Sequence, residues 1–427
     1  MKIHFLGIGG SGTSAAAAIA KSQGHTITGC DTQPINEFTI NFDKEILLTG
    51  HSPEHLAEID LLVITPAITS LDPHNPELEK AREKNIQILT WQEFMGQNLM
   101  KEKTVIAVCG THGKSTTTAM IGLMLEEAGL DPTVELGAIV PKWGTNFRIG
   151  KGKYFVVEAD EFNDNLLNYH PEITVVTNIE MDHPEYFKSF EQLKTSFKKF
   201  FLQTKKYIVA NIADENIAYI LKDVMKESSL TCLDYSKNEF QFSLKVPGEY
   251  NIINAKAAQQ VGLILGIDSE SIKNTLTQFE GIGRRFEYLG EFKGAHVYTD
   301  FGHHPTEIKV TIQAAREKFP KEKLWLFYEP HMFSRTKALF DDFVKVFRKL
   351  PADEIIILDI YPSREVDTGM IHSEQLVQAT NKNNVQYNNP EHLRETLGKE
   401  IKKGDVLFFM GAGDIDKLAR KLVLKSN

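Results

Sequence analysis

The chain has 427 residues, too many for one ordinary core, which predicts two to four domains. Its 42% hydrophobic and 25% charged residues are ordinary for a globular protein, and no apolar run approaches the length of a membrane span. A net charge of −9 provides no global basic field, which argues against nucleic acid as a partner and leaves any anionic substrate to be held by local groups. The N-terminus runs directly from an apolar strand into a glycine turn, without the layout of a signal peptide. Cys30, Cys109 and Cys232 are odd in number, isolated and in no metal-ligand spacing, so free thiols in a reducing cytoplasm are expected.

Taken in order, residues 2–6 read as a strand, 7–12 as a turn and 13–23 as an alanine-rich helix. The turn, G-I-G-G-S-G, matches G-x-G-x-x-G in a Rossmann-like strand–turn–helix context, and Asp31 ends the next strand, 26–30. An NAD site is the plain alternative, opposed by the shortness of this unit and by a second phosphate loop at 110. Further parallel strands are expected at 61–65 and 86–89, around a helix at 76–84, and a polar, basic linker at 97–103.

Residues 104–109 form an apolar, β-branched run that suits a buried strand, followed by the tight turn Gly110 to Lys114 and a helix over 116–127. Strand, glycine turn and helix build a phosphate cradle, in which backbone N–H groups converge on the anion and the helix N-terminus adds positive potential. Lys114 would neutralise the terminal phosphates and the Ser115 hydroxyl would ligate Mg²⁺. Val108 stands where the longer P-loop pattern has glycine, so the match is to G-x-x-G-K-S. A plain strand-to-helix turn is the bland alternative.

A strand at 154–157 runs into E-A-D-E, and one at 174–177 into N-I-E-M-D-H. Glu158 and His183 directly follow these strands and are candidate metal ligands, while Asp160 and Glu161 read equally well as solvated loop charges. A helix at 189–201 and a strand at 208–211 follow. Asn251 and Asn254 lie on one face of the next helix, a spacing that suits an adenine edge, although capping is the ordinary use of such amides. From about 288, strands at 296–299, 324–328, 354–358 and 406–410 alternate with helices at 306–318, 338–349 and 373–379. This is another doubly wound α/β unit, with histidines and arginines on its strand-end loops. His296 and His372 receive no role.

Seven motifs occur in order from end to end: G-I-G-G-S-G, G-T-H-G-K-S, V-E-A-D-E, T-N-I-E-x-D-H, F-E-G-I-G-R-R-F, D-F-G-H-H-P-T-E and G-A-G-D-I. In these the chain resembles the Mur ligases, ATP-dependent amide-forming enzymes of peptidoglycan synthesis, and within them the L-alanine-adding branch. The resemblance implies an α/β fold in three domains. These are a Rossmann-like UDP-sugar domain (1–100), a central P-loop ATPase domain with a mostly parallel sheet (101–287) and a C-terminal Rossmann-like domain (288–427). It implies ATP and Mg²⁺ (Mn²⁺ substituting), with UDP-N-acetylmuramate and L-alanine as substrates, no nucleic acid and no membrane. A cytoplasmic monomer or weak homodimer is expected.

Carried over residue by residue, the resemblance puts Lys114, Glu158, His183, Arg285 and Asp300 in the catalytic machinery, and Ser115, Glu158 and His183 on metal. ATP would be held by Gly110, Thr111, His112, Gly113, Lys114, Ser115, Thr116, Asn251, Asn254, Arg285 and Asp300. The UDP-sugar would meet Gly9, Gly10, Ser11, Gly12, Asp31, Thr65, Ala67, His112 and Glu161. Phe301, His303, His331 and Arg335 would face the amino acid. Phe301 and Met332 replace a tyrosine and an arginine expected to help hold the acceptor. Glu329 replaces a glutamine, Tyr250 a common histidine, and Phe197 lies where many Mur ligases carry a carbamylated lysine. A ligase for a preformed peptide and a non-catalytic nucleotide-binding module are the competing readings.

Overall fold

The computed structural model describes residues 1–424. It divides into two compact units, one of Met1–Glu180, Phe190–Ser243 and Ile253–Gln278, the other of Met181–Ser189, Leu244–Ile252 and the chain from Phe279 onward.

The first unit contains two sheets. In the first, strands β1 (Lys2–Leu6), β2 (Thr26–Asp31), β3 (Leu47–Thr49), β4 (Leu61–Ile64) and β5 (Gln87–Thr90) lie in the order β3-β2-β1-β4-β5, all parallel. Every residue of β4 is buried, as expected of a strand covered on both faces. Helix Ser11–Ser22 follows β1, and its four consecutive alanines are buried. A Cβ on Gly12 would sit 2.3 Å from the Trp91 ring, so only glycine admits this approach. The strand order reverses between β1 and β4, which places the 7–12 turn and Thr65 at the crevice where such sheets bind ligands.

The segment expected as a linker is built into the unit instead. Thr90 and Glu93 form a capping box for helix Trp91–Phe94, a π-helical turn (Met95–Leu99) continues it, and Leu99 and Met100 are buried. The basic residues around these two apolar anchors give the stretch its linker-like composition.

The second sheet comprises β6 (Thr104–Cys109), β7 (Thr133–Val140), β8 (Thr145–Arg148), β9 (Tyr154–Glu158), β10 (Ile173–Val176), β11 (Tyr207–Ala210) and β12 (Thr231–Asp234). Their order is β12-β11-β10-β6-β9-β7-β8, parallel except for the β7–β8 hairpin. β6 is thus central, and the phosphate loop leaves its C-terminal end between β9 and β10. Asn146, on β8, donates to the Ser11 carbonyl at 2.8 Å and so ties this sheet to the first helix of the chain.

In the second unit, β13 (Glu287–Phe292), β14 (Ala295–Asp300), β15 (Leu324–Tyr328), β16 (Glu354–Ile357), β17 (Val385–Tyr387) and β18 (Val406–Met410) lie in the order β13-β14-β18-β15-β16-β17. Only the edge strand β13 is antiparallel. Aromatic side chains fill both faces: Phe286, Tyr298 and Phe408 on one, Trp325, Phe327 and Phe409 on the other. The molecule is therefore an α/β protein with three mostly parallel sheets. Among the described residues no helix is long and apolar enough to cross a membrane.

Candidate active site

The phosphate loop is shaped by its glycines. Gly110 and Gly113 have φ of 125° and 82°, and a Cβ on Gly110 would meet Thr177 Oγ1 at 2.2 Å. Helix Lys114–Glu127 starts immediately after the turn, with Ser115 and Thr116 buried in its first turn, so its N–H groups face the loop. The turn is braced from β10: Thr111 N–H donates to the Asn178 carbonyl (2.9 Å), and His112 N–H to Asn178 Oδ1 (2.9 Å). The glycine turn and the N–H groups of the first helical turn make a cradle of the kind that fits a polyphosphate.

Lys114 Nζ donates to Glu161 Oε2 at 2.8 Å and lies 3.7 Å from Asp160. Burial opposes its charge, but Glu161, Asp160 and Glu158 outweigh burial and hold its pKa above the ordinary lysine value. It is thus a permanent ammonium. Glu161, left open between a site residue and a loop charge, is 1% exposed and paired with Lys114. Glu158 ends β9 and accepts from the Gly137 N–H at 2.8 Å, while His112 Nε2 is 2.5 Å from Glu180. The Glu158 carboxylate and the Ser115 hydroxyl are hard oxygen donors of the kind Mg²⁺ takes alongside phosphates, and the Lys114 ammonium adds charge for the phosphates themselves. Asn254 is buried against the loop; a Cβ on Gly113 would lie 2.5 Å from its Oδ1.

Sequence reasoning missed one group here. Glu135, on β7, is 2% exposed, and its Oε2 has no hydrogen-bond partner. Burial first, then Glu158 and Asp160, push its carboxyl well above the usual range, so it is a neutral acid next to the carboxylates that flank Lys114. The Gly-Ala interruption of β7 concealed the strand that carries it.

At the first sheet, Gly9 N–H donates to Asp31 Oδ2 (3.1 Å), while Asn36 Nδ2 donates to the Gly9 carbonyl (2.9 Å). A Cβ on Gly7 would meet Thr65 Cγ2 at 2.4 Å. Gly9, Asp31 and Thr65, named from sequence as UDP-sugar contacts, are therefore gathered at one strand-end crevice, with Gly10, Ser11 and Gly12 leading into its helix.

The second unit brings together residues far apart in sequence. Arg335 Nε donates to Asp182 Oδ1 at 2.9 Å; Arg335 is 2% exposed and Asp182 6%. His183 (φ 55°) lies 3.4 Å from Arg335 Nη2 and 3.3 Å from Glu185, which also pairs with Arg364 at 2.5 Å. His331 Nδ1 is 3.1 Å from Arg335 Nη1, and the His303 and His331 rings are 5.5 Å apart. Burial, reinforced by Arg335, holds His303 down to about 4 and His331 to about 3, so both imidazoles are neutral near pH 7.

Asp300 accepts from Phe286 N–H (2.8 Å) and Gly302 N–H (2.7 Å), and Arg285 pairs with Glu307 at 3.2 Å. Phe301, lacking a tyrosine's hydroxyl, stacks under Arg284 and Arg285, 4.8 and 5.1 Å from its centroid. Met332 is 1% exposed with φ 71°, so its side chain is core packing and presents nothing to an acceptor. Asn251 donates to the Pro247 carbonyl at 2.7 Å.

Residues 2–104 match the profile described as "Mur ligase family, catalytic domain", 108–241 the "Mur ligase middle domain" and 284–413 the "Mur ligase, glutamate ligase domain". A UDP-N-acetylmuramate–L-alanine ligase of Acetivibrio thermocellus is 39% identical over 97% of this chain and 94% of its own. The chain belongs to the Mur ligase family. A Clostridium tetani protein of the same name is 38% identical, covering 99% of this chain and 98% of its own. The crystal structure of UDP-N-acetylmuramate–alanine ligase from Thermotoga maritima superposes with a TM-score of 0.79 at 28% identity, over 100% of this chain and 99% of that one. A murein peptide ligase from Psychrobacter arcticus shares the fold, with a TM-score of 0.72 at 22% identity over 99% and 98%. Membership of this family makes the protein a ligase.

Proposed function

We propose that the chain joins L-alanine to the lactyl carboxylate of UDP-N-acetylmuramate, with ATP converted to ADP and phosphate, as a cytoplasmic step of peptidoglycan synthesis. The observation that carries this reading is the buried Lys114 ammonium at the glycine turn before helix Lys114–Glu127. It is supported by relatives with that name along nearly the whole chain. A carboxylate oxygen of the sugar attacks the γ-phosphorus and ADP departs, leaving an acyl phosphate. The amine nitrogen of the amino acid then attacks the acyl carbon, the tetrahedral adduct expels phosphate, and the nitrogen loses a proton.

Both steps bring anions together. Lys114 holds the transferred phosphoryl group, and the first-turn N–H groups of helix Lys114–Glu127 face the charge that develops on it. Ser115 and Glu158 would hold Mg²⁺; when bound, the ion supplies charge neutralisation on the phosphates. Asp31 and the 9–12 turn orient the UDP-sugar. Arg335, His303 and His331 are proposed to face the acceptor.

Attachment of a preformed peptide is the second reading, favoured by Phe301 and Met332, which remove two polar groups expected at the acceptor. Phosphate release should require both UDP-N-acetylmuramate and L-alanine, and should vanish in Lys114→Ala. Release with a tripeptide but not L-alanine would replace the first reading by the second; release with no acceptor dependence would leave only a nucleotide-binding module.

A further inference from the structure

Away from the phosphate loop, four metal-ligating side chains from four separate elements meet inside the first unit. They are His4 on β1, Cys30 on β2, His55 in the 3₁₀ turn Pro53–Leu56 and Glu77 in the first turn of helix Pro76–Glu83. One donor atom of each lies within 4.8 Å of all the others. Cys30 Sγ and His55 Nδ1 are both 3.0 Å from Glu77 Oε1, and His4 Nε2 is 3.1 Å from Glu77 Oε2. The His4 and Glu77 side chains are fully buried, Cys30 is buried, and His55 closes the cluster with 16% exposure.

Two of these atoms are badly served by the protein alone. His4 Nε2 and Glu77 Oε2 sit at ion-pair distance yet are misaligned, and neither has a hydrogen-bond partner. Buried polar atoms without a well-aligned hydrogen bond are costly in a dry interior. The supporting contacts are of the kind that orient ligands. His4 Nδ1 is 2.8 Å from Thr28 Oγ1, which fixes the ring, and Ser52 N–H donates to Glu77 Oε1 at 3.0 Å.

We propose that His4, Cys30, His55 and Glu77 form a structural zinc site in the N-terminal sheet. Two nitrogens, one sulfur and one oxygen form a complete tetrahedral set for Zn²⁺, with no position left for substrate. Zinc bond lengths imply donor–donor spacings of roughly 3.3–3.8 Å, against 3.0–3.1 Å for the three contacts to the Glu77 carboxylate and at most 4.8 Å for the other pairs. The charges also balance. Two neutral imidazoles, one carboxylate and one thiolate around a dication sum to zero, which suits a buried centre. Burial and Glu77 push the Cys30 thiol upward, so without metal it remains a proton donor; the ion takes the place of that proton, which is released to solvent. The site would pin the 51–56 loop and helix Pro76–Glu83 to β1 and β2, beside Asp31. His51 Nδ1 also lies 3.3 Å from Cys30 Sγ.

The test uses the full chain, stripped with a chelator and titrated with Zn²⁺ against a chromophoric competitor in excess Mg²⁺, so that hard-oxygen sites are filled. One equivalent should bind, raise the melting temperature, and weaken at least tenfold in His55→Ala, whose partly exposed position spares the core. Co²⁺ in place of Zn²⁺ should show thiolate charge-transfer absorption that survives Cys109→Ser and Cys232→Ser but disappears in Cys30→Ser. Should Cys30→Ser fail to fold, the zinc affinity of His55→Ala decides. No stoichiometric binding, affinity unchanged in His55→Ala, or a charge-transfer band that persists without Cys30 would each overturn the assignment.

Discussion

Glu329 stands where the family motif has glutamine, and the substitution has a pH-dependent consequence. The residue follows β15, and its Oε2 accepts from Ile415 N–H at 3.3 Å. Burial pushes its carboxyl from 4.5 up to about 7; Asp414 adds to this, and the Ile415 amide and Arg284 oppose it. A raised value means that the native state binds this proton more tightly than the unfolded chain. The contribution is therefore fully present below about pH 4.5 and is lost as the pH rises through about 7. Glu329→Gln keeps the shape and removes the titration. It should raise the melting temperature at about pH 8.5, by the equivalent of about 1–3 kcal/mol, and change it little at about pH 5. An equal gain at both pH values would show that charge is not the cause. Asp182 is the opposite case: its partner Arg335 is buried with it, so Asp182→Asn strands a guanidinium in the interior. A loss of about 3–5 kcal/mol is expected, read as a large fall in melting temperature.

At the scale of elements, the strand–turn–helix around Lys114 was legible because it is local: six residues of β6, a glycine turn and a helix occupy one continuous stretch. One of its demanding positions is Gly113. A side chain there would have to accept φ of 82° and displace Asn254, whose Oδ1 would lie 2.5 Å from the new Cβ. Gly113→Ala should therefore abolish ATP binding in calorimetry while leaving the far-ultraviolet circular dichroism of the folded chain in place. Retention of ATP affinity within about threefold would contradict the cradle. What sequence left hidden is non-local. The Asp182–Arg335 pair spans 153 residues, and His4, Cys30, His55 and Glu77 come from four elements, so no spacing along the chain announces either group. The 97–103 stretch misleads for another reason: Lys101 and Glu102 are exposed, while Leu99 and Met100 just before them are buried. The β7–β8 hairpin, and Glu135 with it, was obscured by Gly137 and by strand residues of mixed polarity.

For the whole molecule, the first unit sets the phosphate loop and the proposed sugar crevice on different sheets, although His112 and Glu161, also expected to meet the sugar, lie at the loop. The phosphate loop leaves the C-terminal end of β6 in the second sheet, whereas the crevice with Gly9, Asp31 and Thr65 opens in the first sheet between β1 and β4. Asn146 and Ser11, and the seat of Gly96 against the Asn168 carbonyl, join the two sheets through backbone and small residues. None of these contacts involves Lys114, whose own partners are Glu161, Asp160 and the loop carbonyls of Gly110 and Thr111. Removing the ammonium should thus disable phosphoryl transfer without disturbing the crevice on the first sheet. Lys114→Ala should lower phosphate release at least a thousandfold, in keeping with the loss of a charge that acts on the transition state in a water-poor site. Calorimetric affinity for UDP-N-acetylmuramate should stay within about threefold of wild type. The Glu161 carboxylate, left without its ammonium, is the reason to compare Lys114→Ala with Lys114→Arg, which retains the charge in a different shape. If both variants lose the sugar affinity as well as turnover, the phosphate loop and the sugar crevice are one site, and the separation argued from the two sheets is wrong.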